Sequence, residues 1–231
     1  MVIQDVRRLV FPLLSAELEG GIVQTDTLAF HGTAFFVSAS GLALSASHIV
    51  PTAQTLGTRK LFAGVQRKQF EFFSIKKIDA WQPNDVCCLH VAIDRVDHFS
   101  CSYAGLHPGE DVWSVGIPEH ELWEKGKKQT KVLKGHVAYA ATTLVELSFP
   151  IPKGMSGSPV LVGQDVFGVL IGNWRSEQLE DRVEEIVEVS NTKEVIRFVE
   201  SKEIINSGVA TDLAMIKELP AYIADASELG R

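Results

Sequence analysis

The stretch that most constrains this chain is the octapeptide Lys153-Gly154-Met155-Ser156-Gly157-Ser158-Pro159-Val160, which runs straight into Leu161 and Val162. Glycines on both sides of a serine let the backbone turn tightly and approach a ligand atom closely. A serine held on such a turn is a candidate nucleophile when its own amide and that of Gly154 can point at one oxyanion. Gly-x-Ser-Gly also describes an ordinary turn, so the rest of the chain has to decide. A serine hydroxyl is a poor nucleophile near neutral pH and needs a base, which in turn needs an orienting carboxylate.

Both partners lie upstream. The run from Gly32 to Val50, GTAFFVSASGLALSASHIV, ends in His48, and Pro83-Asn84-Asp85-Val86-Cys87-Cys88-Leu89-His90-Val91 places Asp85 at the head of an apolar strand. Asp79 and Asp94 are the other carboxylates near that strand. The chain order His48, Asp85, Ser156 is the order used by the double β-barrel proteases, whereas subtilisins and α/β-hydrolases use others.

These three segments resemble the trypsin/chymotrypsin-like serine peptidases, and within them the bacterial and Deg-type branch. GTAFFVSASGLALSASHIV is similar to the family's Gly-Thr/Ser-Gly-Phe strand followed by its Thr-Ala-Ala-His turn. NDVCCLHV is similar to its Asp-x-Ala-x-Leu strand, and GMSGSPVL to its Gly-Asn/Asp-Ser-Gly-Gly/Ser-Pro. The likeness runs from about Val10 to about Trp174. It implies an all-β, chymotrypsin-like double six-stranded β-barrel, with Ser156 as nucleophile, His48 as general base, Asp85 orienting it, and the amides of Gly154 and Ser156 as the oxyanion hole.

The resemblance also locates a substrate pocket. Pro150, six residues before the serine, corresponds to the floor of the primary specificity pocket, and Val169, Leu170, Ile171 and Gly172 to its wall. Trypsin-like preference for Lys or Arg needs an acid at the floor. Pro150 is none, and Glu146 lies near it in sequence without matching the position. The implied P1 residue is uncharged and apolar. A second departure precedes the nucleophile: Met155 stands where trypsin-type zymogens carry an aspartate that pairs with a newly cut N-terminal amine. Here the oxyanion loop has to be ordered by packing, by a partner or by the substrate.

Composition narrows the setting. Of 231 residues, 45% are hydrophobic and 22% charged, the balance of an ordinary globular chain. A formal net charge of -7 argues against nucleic acid or an anionic membrane as a general partner. Three cysteines, two of them adjacent in a predicted strand, do not make a disulfide framework. With no long apolar run in the sequence, the expected location is cytoplasmic. The histidines outside the triad show no metal spacing, so neither a metal nor a cofactor is implied.

Runs of β-rich residues between turn signals divide the chain into a first barrel over residues 1–95 carrying His48 and Asp85, a linker over 96–109, and a second barrel over 110–190 carrying Ser156. A helical extension is expected over 191–231, with a strand before it at 184–189 and helical spacing at 192–202 and 211–223. The function implied is a serine endopeptidase acting through an acyl-enzyme on a protein or peptide bound as an added strand. Two alternatives stay open: a zymogen-like protease activated by a protein partner or within a larger complex, and a catalytically silent peptide-binding pseudoprotease.

Overall fold

A strand that is apolar on both faces has to be covered on both faces, and this requirement organises the chain. In the computed structural model, which describes residues 6–119, 129–142, 144–175 and 206–228, β1 (Val10–Ala16) is buried along its whole length. A short hairpin follows, β2 (Leu18–Glu19) and β3 (Ile22–Val23). Then come β4 (Ala29–Phe36), β5 (Leu42–Ala46), β6 (Lys60–Gln66), β7 (Phe70–Trp81) and β8 (Val86–Val91). With β1 they close a barrel in the order β1-β4-β5-β8-β7-β6.

The second half repeats the plan with β9 (Asp111–Gly116), β10 (Lys131–Ala140), β11 (Val145–Leu147), β12 (Pro159–Val162), β13 (Asp165–Arg175) and β14 (Asn206–Asp212). Its order is β10-β11-β14-β13-β12-β9, again closed. The fold is therefore the all-β double six-stranded barrel, with a C-terminal helix. That helix is α2 (Leu219–Glu228); a single helical turn, α1 (Ala53–Leu56), follows the His48 segment.

Period-two alternation sorts the side chains. Along β8, Cys87, Leu89 and Val91 fill the first barrel, whereas Val86 and Cys88 face a cluster shared with Val115, Leu161 and Val169 of the second. The two cysteines thus point to opposite faces as free thiols, and burial pushes the Cys87 thiol up to about 12. The shared cluster makes the barrels one packed body.

The largest departure from the sequence expectation is at the C-terminal end. β14 falls inside the stretch expected to be a helical extension, and it closes the second barrel between β11 and β13. Among the described residues the helix begins at Leu219, not Thr211. The strand expected at 184–189 and the helix expected at 192–202 lie outside the described residues.

α2 follows the second barrel but docks on the first. The Tyr222 hydroxyl donates to Asp79 on β7, lies 2.7 Å from His90 Nε2 on β8, and its ring meets Trp81 edge-on at 5.2 Å between centroids. Burial would raise the Asp79 pKa, but the hydrogen bonds from Lys77 and Tyr222 outweigh it and hold the carboxyl below the usual carboxylate range. A depressed folded-state pKa gives stability that is present above the ordinary aspartate pKa and lost as pH falls through the lowered one. Tyr222→Phe should cost about 1 kcal/mol at neutral pH. Urea unfolding should show that difference shrinking as the medium is acidified below the carboxylate range.

Candidate active site

Asp85 occupies the left-handed region, with φ 55°, just before β8 begins at Val86. That turn aims its carboxylate back at the helical turn Ser47–Ile49 after β5. Oδ2 lies 2.6 Å from His48 Nδ1, and Oδ1 accepts the His48 backbone N–H at 2.9 Å. The Asp85 carbonyl also accepts the Ser47 N–H at 2.9 Å. Three contacts therefore fix ring and backbone together, and among the described residues Nε2 has no hydrogen-bond partner. The preceding carbonyl, of Asn84, accepts from the buried Thr211 Oγ1 at 2.6 Å, so β14 of the second barrel steadies the loop that carries the carboxylate. Asp79, the alternative carboxylate, is taken by Lys77, His90 and Tyr222.

The serine loop comes from the second barrel and is gripped by the first. Thr33 of β4 donates its N–H to the Ser156 carbonyl at 2.9 Å and its hydroxyl to the Gly154 carbonyl at 3.0 Å. The same hydroxyl accepts the Ile117 N–H at 3.0 Å. Gly157 makes the approach possible: a Cβ there would stand 2.0 Å from the Thr33 carbonyl and 2.3 Å from Ser45 Oγ, and its φ is +85°. Gly154, at φ +95°, has no room for a side chain either, with Glu119 N 2.5 Å from such a Cβ.

Within this loop the Lys153 carbonyl accepts the Glu119 N–H at 2.9 Å. Carbonyl and amide point opposite ways across a trans peptide, so the Gly154 N–H is turned away from Glu119. Among the described residues neither the Gly154 nor the Ser156 amide donates to another protein group. Two free amides on a tight turn can receive a negatively charged oxygen. Met155 between them is fully buried in the core of the second barrel beside Val160 and Leu170, so packing orders the loop.

His48 and Gly154 open on a common cavity of about 350 Å³, which Phe30, Ile49 and the Glu119–Lys153 ion pair also line. His31 borders it too; its Nε2 lies 2.8 Å from Ser15 Oγ, and burial, then the nearby Arg59, lowers its pKa. Among the described residues no hydrogen bond joins Ser156 Oγ to His48. Such contacts are often long without substrate and tighten when it binds. Among the described residues no three His, Cys, Asp or Glu side chains converge to hold a metal ion.

Of the residues expected along the pocket, Pro150 is exposed and Ile171 and Gly172 are half-buried, but Val169 and Leu170 are fully buried. Val169 packs into the inter-barrel cluster and Leu170 into the second barrel, so neither side chain lines a pocket. Leu170 serves through its backbone instead, accepting from Gly157 N at 2.7 Å and donating to Ser158 O at 2.9 Å. The correction follows from alternation: both residues lie where β13 is covered on each side. Glu146 is bonded by Ser207 Oγ on β14. Thr33, Thr211 and Asn173 do structural work here that sequence reading missed, because each acts on the backbone of a segment distant in the chain.

Residues 32–172 match the family model described as the trypsin-like peptidase domain. Among solved structures the chain is similar to the HtrA-type protease AlgW with a decapeptide, at TM-score 0.59 and 12% identity over 97% of this chain and 67% of that one. It is also similar to the active form of the Rv3671c protease from M. tuberculosis, at TM-score 0.62 and 13% identity over 96% of this chain and 83% of that one. At these identities the likeness is one of fold. No curated protein matches the sequence.

Thr33→Val keeps the shape but strips the shared hydroxyl, leaving the Gly154 carbonyl and the buried Ile117 N–H without it. We expect a loss of about 2 kcal/mol in unfolding free energy, recovered in large part by Thr33→Ser. Denaturant titration of the two variants side by side checks it.

Proposed function

The chain belongs to the trypsin-like peptidase family, and on that footing we propose that it is a serine endopeptidase working through an acyl-enzyme. The observation that carries the proposal is the pairing of a carboxylate-held histidine with two unpartnered amides flanking Met155 on one turn. Ser156 attacks the scissile carbonyl while His48 Nε2 takes its proton. Asp85 holds the ring in the tautomer that leaves Nε2 able to accept, and stabilises the imidazolium that forms. The Gly154 and Ser156 amides receive the oxyanion. His48 then returns the proton to the leaving amine, and water repeats the sequence on the ester.

The peptide binds as an added strand, and the segment beyond the scissile bond enters the cavity between His48 and Gly154. The P1 residue is uncharged: Pro150 supplies no acid. Burial of Met155 and the outward Lys153 carbonyl favour a loop ordered in the isolated chain over one that waits for a partner. A pseudoprotease would have no need of the two contacts that fix His48 on Asp85. A cytoplasmic setting is the one proposed for the chain.

A fluorophosphonate probe tests the chemistry without knowledge of the substrate. Wild type should label at Ser156 and Ser156→Ala should not, with peptide turnover falling at least about a thousandfold in the variant. Asp85→Asn should cut turnover about ten-thousandfold while leaving the fold intact. Failure of the purified wild type to label would contradict a constitutively active enzyme.

A further inference from the structure

β13 runs on well past its partner. Its last pair with β12 is Val169 with Pro159, whereas β14 accompanies it through Gly172, Asn173, Trp174 and Arg175. Among the described residues, β13 from Ile171 onward therefore has a strand on one side only. An open edge of this kind is a template for an extended peptide. It lies one hydrogen bond from the nucleophile loop, since Leu170 O holds Gly157 N. A peptide laid on this edge, with its scissile carbonyl at the Gly154 and Ser156 amides, directs its P1 side chain into a defined gap. The resemblance to the trypsin-like peptidases, which makes β13 the pocket wall, sets that gap between β13 and residues 151–153, the segment that leads up to Gly154.

That gap is already bridged. Asn173 Oδ1 accepts the Ile151 N–H at 2.6 Å, and Asn173 Nδ2 donates to the Ile151 carbonyl at 2.8 Å. The carboxamide pairs with the Ile151 backbone as a neighbouring strand would, and so ties the two walls together. The space beneath is filled as well. Ile151 is only 5% exposed, and its side chain packs so tightly on β14 that a Cβ at Gly208 would lie 2.9 Å and 3.1 Å from its carbons.

We infer that Asn173 is a specificity-determining residue: its carboxamide, tied to the backbone of the buried Ile151, limits the P1 side chain to about the size of alanine. The inference rests on the endopeptidase reading and narrows its uncharged P1 to a small one. A larger side chain has to break both hydrogen bonds and leave the Ile151 N–H and carbonyl without partners, a penalty that an alanine does not incur. Discrimination of this kind comes from what a bulky residue disrupts rather than from what a small one gains.

The test uses tripeptide diphenyl phosphonates identical except for alanine, leucine or phenylalanine at P1, with adduct formation followed by intact mass. Each rate is divided by that protein's rate with a fluorophosphonate that has no P1 side chain. Wild type should take the alanine compound at least about tenfold faster than the phenylalanine compound. In Asn173→Gly and in Asn173→Ala the ratio should collapse towards one through faster reaction of the phenylalanine compound. The second variant separates loss of the carboxamide from the backbone freedom of glycine, and thermal unfolding of each confirms the fold. Equal rates for alanine and phenylalanine in wild type, or a ratio unchanged in both variants, would overturn the inference. A wild type inert to the fluorophosphonate as well would mark failure of the endopeptidase reading, and the inference would fall with it.

Discussion

One threonine joins the two halves of this molecule where the chemistry is proposed to happen. Thr33 gives its amide to the Ser156 carbonyl and its hydroxyl to the Gly154 carbonyl, while that hydroxyl takes the Ile117 N–H. It is fully buried, so these bonds form where water does not compete. The Gly154 and Ser156 carbonyls are thereby pinned from the first barrel. Among the described residues the amides of Gly154 and Ser156 donate to no other protein group. Gly157 is the counterpart of this grip, since a side chain there would collide with the Thr33 carbonyl and separate the barrels.

The same reciprocity holds on the histidine side. Asp85 belongs to the first barrel, but the loop that turns it towards His48 is bonded by Thr211 of the second. Each barrel therefore steadies a proposed catalytic element of the other, and an apolar cluster packs between them. Met155 completes the arrangement by burying its side chain in the second barrel, at the position where the resembling zymogens carry an ionic trigger. A methionine fills irregular core space well and carries no charge to be neutralised.

How much of this is legible in the sequence depends on the range over which each residue acts. The pairing of His48 with Asp85 is readable because each sits in a local motif whose turn and strand signals agree. The strands β5 and β8 are readable because strands covered on both faces are mainly apolar. β14 is not: Asn-Ser-Gly-Val-Ala-Thr-Asp is short and polar, and it becomes a strand because β11 and β13 pair with it on either side. Val169 and Leu170 look like a pocket wall on sequence position alone, and only the barrel tells that both faces are already occupied. Thr33 and Asn173 are ordinary polar residues until the fold brings distant backbone groups within their reach.

On the proposed reading, Thr33 and the buried Met155 hold the oxyanion site formed in the isolated chain. A crystal structure of the protein after reaction with a fluorophosphonate tests it most directly. Phosphorus is expected on Ser156 Oγ, with one phosphoryl oxygen within hydrogen-bond distance of both the Gly154 and Ser156 amides and the Lys153 carbonyl still on Glu119 N. A Lys153–Gly154 peptide turned over so that its carbonyl faces the adduct, or a Ser156 that carries no adduct, would contradict it.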